Sequence, residues 1–134
     1  VPASAARAGR LGDAWLTGQN ATQADLEEQL DRYQEAAVQA GRTPRPVLRR
    51  DLYVGESDEE ARAVVGQILA EGYRGTTFEQ LLVGSADTVV QELRDYRRMG
   101  FAYVMVRHIV GDHQLMLRSF ERIGSGVIPR IRDL

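Results

Sequence analysis

Three consecutive charged residues, Arg49-Arg50-Asp51, sit in the middle of a stretch that otherwise reads as a buried strand, Val47 to Val54. A strand of a parallel sheet is ordinarily a continuous apolar run. Alternation puts Val47, Arg49, Asp51 and Tyr53 on one face and Leu48, Arg50, Leu52 and Val54 on the other. Charges inside such a layer are costly unless they are paired or face a polar site. Two readings follow. One is an Arg–Asp ion pair at a sheet rim or edge. The other is Arg49 aimed into the mouth of a site, where its fork can hold an anionic group or an oxygen gaining charge.

The remaining chemical candidates are His108 and His113, with Asp112 between them, just past a later strand. The C-terminal end of a parallel strand is where α/β folds build their sites, and a histidine there can move a proton near neutral pH. Two histidines five apart suggest a metal only weakly, because no third ligand has suitable spacing. Gly84-Ser85 ahead of a helix can hold a phosphate on free N–H groups, but a plain N-cap accounts for it as well. Trp15 reads as a packing residue. The acidic cluster Glu56–Glu60 reads as a favourable charge at a helix start.

The elements that must position these residues alternate. An Ala-rich helix, Pro2 to Leu11, leads to a short strand at Asp13 to Leu16. Thr22 with Asp25 begins a helix whose buried face is Leu26, Leu30, Tyr33 and Ala37. The strand Val47–Val54 follows, then a helix from the capping box Ser57/Glu60 to about Glu71. Gly72 to Leu82 reads as a loop, Ser85 caps a helix through Val89, Val90, Leu93 and Tyr96, and Gly100 ends it. Ala102 to Arg107 is a third strand, and a last helical stretch carries Leu115, Leu117, Phe120 and Ile123. This is an α/β pattern of parallel βα units, expected as one partial domain over residues 1–134. Three strands cannot close a barrel, so partner strands are expected from elsewhere.

Composition narrows the function classes. The 134 residues carry 17 basic and 19 acidic side chains, a net charge of −2, which gives no support to nucleic-acid binding. Every basic residue is Arg, a feature of coding bias more than of a binding surface. The absence of Cys removes disulfides, thiolate metal sites and cysteine nucleophiles. No apolar run approaches the ~18 residues of a membrane span, and no leader pattern is present, so the default compartment is the cytoplasm. The chain opens on Val1, within a helix, and is expected to be a processed product or a piece of a longer protein.

Several strings taken together resemble a known family. Ala5-Ala6-Arg7-Ala8-Gly9-Arg10-Leu11-Gly12-Asp13-Ala14-Trp15-Leu16 is similar to an Ala-rich helix running into "GDGW", with Ala14 in place of Gly. Ala40-Gly41-Arg42, Tyr53-Val54-Gly55-Glu56-Ser57, Leu82-Val83-Gly84-Ser85-Ala86-Asp87 and Met99-Gly100-Phe101 follow in order. In this the chain resembles the C-terminal portion of bacterial luciferase-like monooxygenases. The resemblance implies about three strands of a (β/α)8 TIM-type barrel, often dimeric, using FMN or coenzyme F420. It makes Arg49 similar to the active-site strand arginine of the alkanesulfonate-oxidising branch, and Asp51 falls where that branch has His. Arg74 matches an arginine on that branch's mobile loop. With His108, Arg49 and Arg74 form the expected catalytic set. Ser4, one turn into the helix that follows the family's phosphate loop, and Asp51 form the expected cofactor-binding set. No metal ligand is expected.

The function so implied is hydride transfer or oxygen activation on a small organic substrate. The chain by itself is expected to be poorly active, and to join a missing N-terminal barrel half or a homo-oligomer. The competing expectation is a non-catalytic remnant or assembly partner that pairs through its incomplete sheet.

Overall fold

The computed structural model describes residues 2–132. Val1 lies outside them. The elements are α1 (Pro2–Leu11), β1 (Trp15–Leu16), α2 (Gln23–Gln39), β2 (Pro46–Val54), α3 (Asp58–Ala70), a 3-10 turn (Phe78–Gln80), β3 (Leu81–Gly84), α4 (Ala86–Met99), β4 (Tyr103–His108), α5 (His113–Arg122), a π-helical turn (Ile123–Val127) and α6 (Ile128–Ile131).

Helix starts follow the expected side-chain logic, with one exception. Thr22 and Asp25 form the reciprocal capping box of α2, each accepting from the other's backbone N–H. Ser57 accepts from the Glu60 N–H at the start of α3, but Glu60 does not return the bond to Ser57. Its carboxylate takes the Tyr53 hydroxyl at 2.7 Å instead, a stronger partner than a solvent-exposed amide. Helices α1 and α2 cross closely at Gly9, where a Cβ would come within 2.6 Å of the Tyr33 carbonyl oxygen.

Leu81–Gly84, of which Leu81 and Leu82 were expected in a loop, forms a fourth strand. Four residues are too few for alternation to show in the sequence, and it is β2 that organises them. All pairings in the sheet are parallel. Val47 of β2 pairs with both β1 and β4, so these lie on opposite edges; Asp51 and Leu52 pair with both β3 and β4, so β3 shares the edge of β1. That edge is therefore β1 along the start of β2 and β3 along its end.

Backbone accounting explains how the edges hold. In the gap between β1 and β3, the Arg49 N–H donates to Thr17 Oγ1 at 2.9 Å, and Thr17 is buried. On the other edge β4 ends in register with Leu52, and the Ile109 N–H still reaches the Leu52 carbonyl. Beyond it α5 takes over: Ser119 Oγ accepts from the Val54 N–H at 2.9 Å and Arg122 donates to the Val54 carbonyl at 3.1 Å.

The sheet has an outer and an inner face. Leu48, Leu52, Val54 and Leu82 of the outer face pack with Leu26, Leu30, Tyr33, Val89, Val90, Tyr96 and Phe101 of the helical layer. Trp15 stacks on Tyr33 with ring centroids 5.2 Å apart, the packing role expected of it. The upper inner face, at the C-terminal ends of the strands, is closed by α3: Tyr53, Leu81, Val83 and Ile109 meet Ala61 and Val65. Lower down nothing among the described residues covers it: Tyr103 and Met105 of β4, in register with Val47 and Arg49, are exposed, and so are Val104 and Val106 on the other face.

Candidate functional site

The open inner face carries a row of polar side chains directly under the lid formed by α3 and the segment after it. Asp51 lies in register with Arg107 of β4, and the two meet as a bidentate pair, Nε to Oδ1 at 3.1 Å and Nη2 to Oδ2 at 2.9 Å. The Tyr73 hydroxyl donates to Asp51 Oδ2 at 2.5 Å and receives Arg107 Nη2 at 3.2 Å. Gln19, from the turn after β1, accepts from the same nitrogen at 3.4 Å. Burial of Asp51 would push its carboxyl pKa up. The hydrogen bonds from Arg107 and Tyr73 and the charges of Arg107 and Arg49 outweigh that, and hold it below the ordinary carboxylate value. The Tyr73 hydroxyl moves the other way, raised by its burial and by the Asp51 charge.

Arg49 lies one step further down the same face, half-buried, and its guanidinium makes no hydrogen bond or ion pair with any described residue. Its immediate neighbour Arg50 points to the outer face and is completely buried. There Nε and Nη2 donate to the Tyr96 hydroxyl and Nη1 and Nη2 to the carbonyls of Gln19 and Ala21, with the Tyr96 ring beneath the guanidinium. The charged residues of the Arg-Arg-Asp string therefore separate. Asp51 is ion-paired, but with Arg107 and not with an adjacent arginine. Arg49 is the one left open.

The other expected site residues separate. Arg74 follows Tyr73 and is exposed, with φ 55°, a left-handed backbone uncommon outside Gly and Asn. Only its neighbour reaches the cluster. Ser4 is exposed in the first turn of α1. His108 was expected in a loop beyond the strand. It is instead the last residue of β4, in register with Leu52 and thus on the face opposite Arg49, Asp51 and Arg107. Its Nε2 lies 2.7 Å from Ser119 Oγ and its ring meets Phe120 edge-on at 4.4 Å. Ser119 Oγ thus bridges the Val54 N–H and the His108 ring, and burial lowers the pKa of that ring, which favours its neutral form. This histidine fastens α5 to the sheet.

His113 begins α5 behind the N-cap Asp112. The α4 N-terminus at Ser85 is filled from within: Asp58 Oδ1 accepts from the Ser85 N–H at 2.8 Å and the Thr88 hydroxyl at 2.7 Å. Among the described residues no three His, Asp or Glu side chains converge on one point. Sequence reasoning missed Arg107, Tyr73 and Gln19. Arg107 was visible only as the polar end of a strand in step with Tyr103 and Met105. Tyr73 sat in a segment without periodicity, and nothing local ties either to Asp51.

A family model described as luciferase-like monooxygenase matches residues 1–81. No curated protein matches the sequence. Among solved structures, the monooxygenase RslO1 from Streptomyces bottropensis is similar at a TM-score of 0.77 with 23% identity, over 96% of this chain and 45% of that one. The coenzyme F420 dependent tetrahydromethanopterin reductase of Methanopyrus kandleri gives 0.73 and 17%, over 98% and 49%. The oxygenating constituent of 3,6-diketocamphane monooxygenase of Pseudomonas putida, solved with FMN, gives 0.72 and 21%, over 96% and 45%. The chain thus spans just under half the length of these relatives, and its parallel βα units are part of a (β/α)8 barrel. With more than half of its residues matched by the family model, the chain belongs to the luciferase-like monooxygenase family.

Proposed function

We propose that this chain is the C-terminal portion of a flavin- or F420-dependent oxidoreductase that transfers hydride or activates oxygen on a small organic substrate. The observation that carries the reading is the Arg49 guanidinium, open on the inner face of the sheet beneath the Asp51–Arg107–Tyr73 cluster. Two of the similar structures are named for these cofactors, one depending on F420 and one solved with FMN. The inner face suits such a planar ring: exposed Tyr103 and Met105 offer apolar surface, and Arg49 offers a positive charge at its edge. The bound cofactor supplies the electrons. The chain's own part is orientation and electrostatics, with Arg49 facing developing negative charge and Asp51 holding Arg107 in one plane. Arg74, beside Tyr73, and His108, through its hold on α5, are proposed as positioning residues in support of Arg49 and not as groups that touch the substrate. Ser4 is the proposed phosphate contact, on the free N–H groups at the start of α1.

The test is titration of FMN and F420, each in oxidised and reduced form, into the protein while following cofactor fluorescence. Saturable binding that Arg49→Ala weakens supports the reading. No saturable binding of either cofactor by a protein carrying this chain together with the rest of its barrel overturns it.

A second reading has its own observation. The outer edge of β4 has no strand beside it among the described residues, and four of its side chains are exposed and apolar or aromatic. Such an edge pairs with another chain, either the N-terminal half of a barrel or a second copy. A homo-oligomer in sedimentation at low micromolar concentration supports pairing between copies. A stable monomer that does not bind an N-terminal barrel half removes this reading. Among the described residues no helix is long and apolar enough to cross a membrane; a cytoplasmic, soluble enzyme is part of the same proposal.

A further inference from the structure

Arg107 is held along one side only. Nε and Nη2 face Asp51, Tyr73 and Gln19, while Nη1 has no hydrogen-bond partner among the described residues and half of the side chain is open. Arg49 stands two residues before Asp51 on the same face, opposite Met105, and its fork has no partner among the described residues. Its charge already acts on Asp51. The single negative charge of Asp51 is committed to Arg107, so the three groups leave one net positive charge. A half-buried guanidinium with no carboxylate or carbonyl on it among the described residues is open to an incoming anion, and planar forks match two-oxygen anions best.

The geometry points to a two-arginine cradle for an oxyanion, built from Arg49 and the free edge of Arg107, with Asp51 and Tyr73 as positioning residues that fix the plane of Arg107. The inference rests on reading the inner face as the ligand's side of the sheet. The ligand group is a carboxylate or a phosphate monoester, with the remainder of the molecule lying on Tyr103 and Met105. A substrate carboxylate and a cofactor phosphate share this chemistry, and the probes separate them.

The test follows the arginine Nε–H signals of the full chain by NMR. Inorganic phosphate and acetate are titrated separately at constant ionic strength against sodium chloride. Saturable shifts at Arg49 and Arg107 are expected, with preference for acetate assigning the cradle to a carboxylate and preference for phosphate to a phosphate ester. Arg49→Gln and Arg107→Gln each weaken binding about tenfold, the loss of one charge-assisted bond. Asp51→Asn is the discriminating variant. It raises the net positive charge, so a loose basic patch would bind anions more tightly, whereas a cradle that needs Arg107 in one plane binds them more weakly. Tyr73→Phe, which deletes only the hydroxyl, weakens binding less and in the same direction. Shifts linear in concentration and equal for chloride overturn the inference, as does unchanged binding in Arg49→Gln. No cofactor enters these titrations, so their failure and a failure to bind FMN or F420 are separate results.

Discussion

Replacing Arg50 by Met removes a charge from the core yet should destabilise the chain by roughly 2 kcal/mol, because its acceptors stay behind. Taken alone, exchange of a buried charge for an apolar side chain of similar length is often neutral or favourable. Arg50, however, has no carboxylate that would leave with it. It serves the Ala21 carbonyl at 2.9 Å and the Tyr96 hydroxyl at 3.1 Å in the buried layer, and the Gln19 carbonyl at 3.3 Å nearer the surface. A buried acceptor left without a donor costs about 1–3 kcal/mol. Two such acceptors, less the relief of a buried charge, give the estimate. Tyr96→Phe leaves the guanidinium its carbonyls and removes the shared acceptor of the Nε and Nη2 bonds, at a cost of about 1.5–3 kcal/mol. The double variant should cost less than the sum, since each change strands the same partner. Urea unfolding read from Trp15, the sole tryptophan and part of the Tyr33 stack, measures this. With a slope of about 1–3 kcal/mol per molar, the midpoint should drop by about 1 M. A variant Arg50→Met within ~0.5 kcal/mol of the parent, or strict additivity with Tyr96→Phe, would refute the reasoning.

Asp51 has a depressed folded-state pKa, so its stabilisation is complete above the unfolded value near ~4 and disappears as pH falls through the folded one. The stability gap between the parent and Asp51→Asn should thus be widest near neutral pH and shrink toward pH ~3, and a gap that does not vary with pH contradicts the assignment. Glu92 on α4 runs opposite: burial raises its carboxyl pKa from 4.5 to about 7, so stability is undiminished below 4.5 and is lost as pH rises through about 7. Thermal melts of Glu92→Gln should match the parent in mild acid and exceed it at pH ~8; equal melting points at both refute this. Ser119→Ala strands the Val54 N–H and leaves His108 without its partner, costing about 1–3 kcal/mol, and should speed amide exchange at Val54. Gly9→Ala gains about 1 kcal/mol of helix propensity but drives a methyl into the Tyr33 carbonyl, so net loss in chemical denaturation is expected; a gain would mean that α1 and α2 separate freely.

The helices were legible because their signals are local. Thr22 with Asp25 and Ser85 ahead of its helix each act within a few residues, and Leu26, Leu30 and Tyr33 share a face by period alone. Glu60 shows the limit. Its capping role depended on having no better partner, and the Tyr53 hydroxyl of the preceding strand is one. β3 was hidden for a related reason, since four residues become a strand only by lying against the end of β2. Arg49 and Asp51 were found because charge inside a strand is anomalous wherever it occurs. Arg107 and Tyr73 were not, because what makes them part of a site is register with Asp51 across 56 residues and a hydroxyl arriving from an irregular segment.

The two arginines of β2 also show what kind of information decides a role. Arg49 and Arg50 have the same chemistry and adjacent positions, and one peptide unit separates an open guanidinium on the inner face from one sealed under Tyr96. Face parity is what distinguishes them, and parity is fixed by which apolar set the helices bury. Leu48, Leu52 and Val54 must meet α2 and α4, so Arg50 goes with them and Arg49 does not. The two are then joined through structure: Arg50 fixes the turn that carries Gln19, and Gln19 touches Arg107. A buried arginine on the outer face thus helps to hold the charged row on the inner one. For that reason Arg50→Met should broaden the Arg107 Nε–H signal as well as lower stability, and an unchanged Arg107 signal in a destabilised variant would break this link between core and site.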